Sequence, residues 1–288
     1  MKFTNKYNLP TVFERFEQAH QHTRGGAKYS VTTLIDSPKI SRLRAQHAQD
    51  LTEDISDRTW AILGTAVHEI LQSGAEDSQI VEQRMHAEIE GISVSGQIDL
   101  QTPHNGGMIL SDYKTTSAFA IQANPNGKPE WSKQLSCYQA LAHLNNVLVT
   151  GIEVIAIIRD WSPSGKKRSS DYPEAPIIRV TLPMMEAQEA CNYLRDRIIA
   201  HESHNTEDCT DPEMWAKPTV FAVHEQTKKG SLSKRAKRLF SSRTEAEIYS
   251  IELSGSKVIE RPKVYSRCDG DYCNVSKHCD QFYNRKSL

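Results

Sequence analysis

The chain has 288 residues, with 35 Lys+Arg against 36 Asp+Glu, a formal net charge of −1, 38% hydrophobic and 25% charged residues. These values fit a globular chain with a sizeable core and exclude disordered and fibrous classes. The longest apolar run, around Val154 to Ile158, is far short of the roughly 20 residues of a membrane span. Met1-Lys2-Phe3-Thr4-Asn5-Lys6 lacks the apolar segment of a secretory signal, and six cysteines in this length do not make a disulfide scaffold. A reducing cytoplasm is therefore expected.

In chain order, residues 10–56 read as helices and turns, one opening at Pro10-Thr11-Val12-Phe13 and another at Ser37-Pro38-Lys39-Ile40. Apolar residues at helical spacing from Trp60 to Leu71 predict a buried helix that ends near Ser73-Gly74. Ile89 to Leu100 alternates as a strand, 101–107 reads as a hairpin loop, and Met108 to Thr115 as the second strand. A loop over 124–129 leads to a helix from about Glu130 to Leu144. Strands are expected over 152–160 and 177–182, then a helix from Pro183 to about His201 with Pro in its first turn. This order predicts an α/β chain, a central mixed sheet flanked by helices. No linker is visible, so one domain over 1–288 is expected, with a helical region (1–59), a core (60–205) and a basic, cysteine-rich C-terminal region (206–288).

The chemistry concentrates in Gly96-Gln97-Ile98-Asp99 and Ser111-Asp112-Tyr113-Lys114. On a strand Asp112 and Lys114 share a face, and Asp99, at the end of the neighbouring strand, can meet Asp112 across the hairpin. Adjacent carboxylates repel, and a hard divalent cation relieves that repulsion. A lysine beside the metal can assist an attacking water, which is a working arrangement for phosphodiester hydrolysis. A bare Asp-x-Lys arises about once by chance in such a chain, and a solvated hairpin face explains it equally well, so its surroundings decide.

Gly64-Thr65-x-x-His68, Gly96-x-x-Asp99, Asp112-Tyr113-Lys114 and Gln134-Leu135-x-x-Tyr138 occur in that order. Together they resemble the PD-(D/E)xK nuclease superfamily, in its RecB-type exonuclease branch, over roughly residues 60–140. The resemblance implies a restriction-endonuclease-like core and Mg²⁺ or Mn²⁺ held by His68, Asp99, Asp112 and the Tyr113 carbonyl. It also implies that Lys114 positions the water and that Gln134 and Tyr138, at i and i+4 on one helical face, orient the DNA or the lysine. Ile98 stands where many members have proline. Glu69, Glu88 and Glu90 are weaker candidates for an extra ligand.

Cys268-x4-Cys273-x5-Cys279 clusters near the C-terminus, and such spacing suits metal ligation. Similar nucleases carry an iron–sulfur cluster on three C-terminal cysteines and one distant cysteine. Here Cys209 is the natural fourth ligand, since no cysteine precedes Cys137. A [4Fe–4S] cluster, Zn²⁺ (with His278 as a substitute ligand) or no metal all remain open, and Cys137 and Cys191 read as core residues. The stretch 228–243 holds seven basic residues and no acidic one. It is either a solvated helix face or a phosphate-tracking surface through Lys228, Lys229, Lys234, Arg235, Lys237 and Arg238, with Arg159 a further phosphate contact. The expectation is a metal-dependent DNA exonuclease acting on ends or single strands and leaving 5′-phosphates, in bacterial or phage recombination, replication or repair. A recombinase, single-strand-binding protein or helicase would be its partner, since no nucleotide-binding Gly-x4-Gly-Lys-Ser/Thr motif is present. The alternatives are a structure-specific endonuclease and a non-catalytic DNA-end-binding recombination protein.

Overall fold

Serine side chains open many of the short helices: Ser30, Ser37, Ser117, Ser162 and Ser242 each accept a hydrogen bond from a backbone N–H in the turn that follows. The computed structural model describes residues 2–20, 23–205, 207–227, 230–253 and 255–286. Its contacts divide the chain into two compact units, Met1–Thr206 and Glu207–Leu288, where the sequence suggested one domain.

The first unit contains β1 (Lys2–Thr4), α1 (Val12–Ala19), β2 (Tyr29–Ser30), α2 (Val31–Ile35), α3 (Pro38–Gln46), β3 (Thr52–Asp54) and α4 (Thr59–Gln72). It continues with β4 (Ile80–Ile89), β5 (Ile92–His104), β6 (Gly107–Thr116), α5 (Ala118–Ala123), α6 (Pro129–Leu144), β7 (Val149–Ile158), α7 (Pro163–Arg168), β8 (Ile177–Thr181) and α8 (Ala187–Glu202). The fold is α/β: a mixed sheet runs β2-β5-β6-β7-β8, with β4 also paired to β5. Neighbours β4/β5, β5/β6 and β7/β8 are antiparallel, while β6 and β7 are parallel and joined by the crossover that carries α6. Helices α2 and α6 cover the sheet, and α8 packs against both. Val31, Leu34, Leu135, Leu141, Leu194 and Ile198 meet Ile98, Leu110, Ile152 and Val154 in one buried core, each such side chain contributing about 1.5–3 kcal/mol. Cys137 lies in this core and Cys191 packs against it.

Several elements differ from the sequence expectations. Helix α4 forms where expected but is not buried: Trp60 is 57% and Ile70 69% exposed. Packing against β5 and β6 covers only part of the helix, and most of its large apolar side chains stay half-exposed or exposed. The expected strand from Ile89 is a hairpin of β4 and β5, turning at Glu90-Gly91, where both residues have positive φ. The expected loop at 101–107 narrows to Asn105-Gly106, with φ of 48° and 78°. Asn-Gly is the pair that best tolerates this mirror-image turn. Asp99 accordingly sits inside β5, not at a strand end. Helix α8 starts at Ala187, not Pro183, because the preceding segment bonds to α6: Met185 N–H donates to Ser136 Oγ, and Ser132 Oγ donates to the Pro183 carbonyl.

The second unit holds β9 (Ala216–Lys217), β10 (Val220–His224), β11 (Arg238–Phe240), α9 (Arg243–Ile251), β12 (Lys257–Arg261), β13 (Val264–Tyr265), α10 (Ser266–Asp269) and α11 (Asp280–Lys286). Strand β10 lies between β11 and β12, antiparallel to both, and β9 pairs with β13. Among the described residues no helix is long and apolar enough to cross a membrane.

Two glycines of the motifs differ in what surrounds them. A Cβ on Gly96 would lie 2.8 Å from the Tyr138 ring and 2.9 Å from Leu141, so β5 approaches α6 only because that position is bare. A Cβ on Gly64, inside α4, meets nothing within 4 Å. The same substitution should therefore have opposite signs. In urea unfolding, Gly96→Ala should cost about 1–3 kcal/mol by overpacking, and Gly64→Ala should gain about 0.5–1 kcal/mol from helix propensity.

Candidate functional site

Three carboxylates meet on one row of the sheet, at positions where the ladders are interrupted. The β4–β5 ladder pairs Val81 with Leu100 and Gln83 with Ile98, passing over Glu82 and Asp99. The β5–β6 ladder ends at Leu100 with Ser111, so Asp99 and Asp112 are the first positions beyond it. There the Asp99 side chain replaces a ladder carbonyl, its Oδ2 accepting the Tyr113 N–H at 2.8 Å. Glu82 has a φ of 49° within its strand, a conformation costly for a residue with a Cβ.

Helix α4 adds His68, whose Nδ1 lies 3.3 Å from Glu82 Oε1 and 3.5 Å from Asp99 Oδ1. The Tyr113 ring meets the imidazole edge-on, with centroids 5.7 Å apart. Glu82 is held from behind, where its Oε2 accepts from Gln97 Nε2 at 2.7 Å and Gln97 in turn accepts from Arg84. On the α6 side, Lys114 Nζ stands 2.7 Å from Asp112 Oδ2 and donates to Gln134 Oε1 at 3.2 Å. The Gln134 amide donates to Asp112 Oδ1 at 3.2 Å and to the Tyr138 hydroxyl at 2.9 Å. The Lys114 ammonium thus pairs with the buried Oδ2 of Asp112, while Gln134 holds its Oδ1.

The electrostatics follow from this crowding. Burial, and then the Asp112 charge, push the Asp99 carboxyl up to about 7. The hydrogen bond to Glu82 raises His68 against the effect of burial, and the Asp99 charge adds to it. Burial pushes Glu82 up, but hydrogen bonds from His68 and Gln97 together outweigh it and leave this carboxyl below its usual value. Burial raises the Tyr138 phenol far above its ordinary range. The His68 imidazole thus stands among carboxylates that favour its charged form, where a cation's charge is called for. His68, Glu82 and Asp99 offer donor atoms within 4.8 Å of one another, and Asp112, paired with Lys114, lies on the same row. This donor set of carboxylate oxygens and imidazole fits Mg²⁺ or Mn²⁺.

The expected residues thus fall into two adjoining groups, His68 with Asp99 and Asp112 with Lys114, Gln134 and Tyr138, linked by the Tyr113 N–H. Glu82 was missed in the sequence, although a turn read at Glu90-Gly91 would have set it opposite Asp99. The weaker candidates lie elsewhere: Glu69 pairs with His20 at 3.1 Å, and Glu88 and Glu90 are exposed on the hairpin. Arg159 is exposed at the end of β7, its guanidinium 4.2 Å from the centroid of the exposed Trp60 ring. In the second unit Cys209, Cys273 and Cys279 are buried and Cys268 half-buried, and none of the four forms a disulfide among the described residues. Burial raises the Cys268 thiol, Arg285 opposes this, and Cys273 and Cys279 add to the rise. Gln281 grips Cys209 by both backbone groups at 2.9 Å. Lys228 and Lys229 lie outside the described residues.

No protein-family model and no curated protein matches the chain. Among solved structures, one described as "Crystal structure of SSO0001" aligns over 71% of this chain and 88% of its own, at 17% identity and a TM-score of 0.46.

The raised Asp99 carboxyl carries a stability prediction. The folded state holds this proton up to about pH 7, whereas an unfolded aspartate releases it near pH 4. The cost of ionising Asp99 therefore grows as pH rises between these values and is complete above about 7. In metal-free protein, Asp99→Asn should raise stability by on the order of 2–4 kcal/mol at pH 8, and by less at pH 5. Thermal unfolding at the two pH values measures this difference.

Proposed function

We propose that the chain is a metal-dependent DNA nuclease that hydrolyses phosphodiester bonds at DNA ends. The observation that carries the proposal is the buried Asp112 carboxylate paired with Lys114 at 2.7 Å, on one row with Asp99 and Glu82. A catalytic pair on rigid strands, braced by Gln134 and Tyr138, is better explained by chemistry than by folding, because buried like charges cost stability. The order of the four motifs, similar to the RecB-type branch, points the same way.

His68, Glu82, Asp99 and Asp112 would hold a divalent cation, which when bound stabilises the phosphoryl oxygens and acidifies water. Lys114, positioned by Asp112 and Gln134, directs its ammonium at the attacking water and steadies the charge that develops on the phosphorus oxygens. Tyr113 N–H keeps Asp99 oriented through the reaction. Water adds its oxygen to phosphorus in line with the departing 3′ oxygen, which leaves as a hydroxyl, and the new end is a 5′-phosphate. Exposed Trp60 and Arg159 suit a base and a phosphate of the bound strand.

The cysteines would hold an iron–sulfur cluster or zinc, a reading that rests on the sequence spacing of Cys268, Cys273 and Cys279 with Cys209 as the fourth ligand. The setting is the bacterial or phage-infected cytoplasm, with a recombinase, single-strand-binding protein or helicase as partner.

End-labelled linear and closed-circular DNA, incubated with Mn²⁺, Mg²⁺ or EDTA, test the activity. The expected result is metal-dependent loss of linear DNA with circles intact, and a loss of at least about 10³-fold for Lys114→Ala, about 4 kcal/mol of barrier. Cleavage of circles would make the enzyme an endonuclease, and binding without cleavage under either metal would refute the catalytic proposal. Elemental analysis of anaerobically purified protein should find iron with sulfide, or zinc, and Cys273→Ser should lose it. Protein free of both would exclude a metal at the cysteines.

A further inference from the structure

The described part of the basic stretch before α9, residues 230–242, does not form a helix. Residues 231–237 run through turns and an isolated bridge, and 238–240 form β11. The loop is fastened to β10 at both ends: Ser233 N–H donates to the Glu225 carbonyl and Lys237 N–H to the Val223 carbonyl, each at 2.8 Å. Its basic side chains are therefore gathered in one place instead of being spread round a helix axis.

They line an open cleft of about 610 Å³, in which Lys234, Arg235, Lys237 and Arg238 are joined by Arg261 from β12. No acidic residue lines it. Lys237 pairs with Glu225 at 3.1 Å. Lys234, Arg235, Arg238 and Arg261 have no carboxylate partner among the described residues. Two of these cations are braced by neutral groups. The Arg238 guanidinium lies 5.0 Å from the Phe240 ring centroid and 5.5 Å from that of Tyr249. Arg261 Nη2 lies 3.3 Å from Nε2 of the buried His224, whose Nδ1 is 2.7 Å from the Ser233 carbonyl. A carbonyl can only accept, so Nδ1 carries the proton and Nε2 accepts from Arg261. Aromatic faces and a neutral imidazole orient these guanidinium groups and leave their charge uncancelled.

From this cleft we infer a second nucleic-acid-binding site in the C-terminal unit, one that grips successive phosphates of a strand without reading sequence. Repeated cations with no acidic rim suit an anion of repeated charge, and donors confined to Lys and Arg favour the backbone over base edges. The site shares with the nuclease proposal only the identity of the ligand, and its test needs no metal.

A fluorescein-labelled oligo(dT) is titrated with the full chain in EDTA over a series of salt concentrations. Lys234→Gln/Arg235→Gln alters two exposed loop residues and leaves the fold intact. It should weaken binding about tenfold or more and reduce the slope of log affinity against log salt by about 1.4, at about 0.7 per phosphate contact on a single strand. Arg261→Gln should lower the slope again, and Lys234→Arg/Arg235→Lys should restore it. Unchanged affinity and slope in the double variant would overturn the proposal. So would competition by poly-glutamate as effective as by unlabelled oligo(dT), which would mark the cleft as a general polyanion surface. Cleavage by the wild type in Mn²⁺, measured separately, reports on the metal site alone.

Discussion

Glu82, Asp99 and Asp112 occupy one row across β4, β5 and β6, and much of the first unit is arranged around keeping them there. Two of the three are buried, and like charges in a poorly solvated place repel strongly. The sheet makes room by breaking its own ladders at this row, and Asp99 substitutes for a strand carbonyl by accepting the Tyr113 N–H. Glu82 adopts a left-handed backbone conformation within its strand. Strain and repulsion that coincide in this way are uncommon where packing alone is at stake, and they cluster where a site needs them.

The surrounding residues balance that charge without filling its place. His68 contributes from the half-exposed helix α4, and Lys114 from the same strand as Asp112. Gln134 bonds to Lys114, Asp112 and Tyr138 at once, so one α6 side chain fixes the geometry of the pair. Gly96 lets Tyr138 come close enough to complete this arrangement. Packing, backbone and electrostatics therefore meet in a few side chains: the core sets the distance between β5 and α6, and that distance sets the lysine.

Much of this was legible from residue order. The mixed α/β sheet, α6 and the helix that opens at Ser37 follow from local rules of period, capping and turn chemistry. What escaped needed three dimensions or a finer reading of turns. Burial of α4 could not be inferred from its apolar content, because which of its faces is covered depends on the strands it meets in space. The Glu90-Gly91 turn lacks the asparagine that announces Asn105-Gly106, so β4 was not separated from β5 and Glu82 was not set against Asp99. The start of α8 depends on bonds to α6 from residues far away in sequence. The basic stretch reads alike as a helix or a loop, and only β12 brings Arg261 to it.

The central claim is that the row of carboxylates, with His68, is a divalent-cation site. Calorimetric titration of Mn²⁺ into the purified chain at pH 8, with Glu82→Gln and Asp99→Asn beside the wild type, tests it most directly. The account predicts one saturable binding event in the wild type, weakened at least about tenfold (about 1.4 kcal/mol) by either substitution. It also predicts that wild-type binding weakens as pH falls through about 7, where Asp99 takes up its proton. A wild type that binds no Mn²⁺, or variants that bind it as tightly as the wild type, would contradict the account.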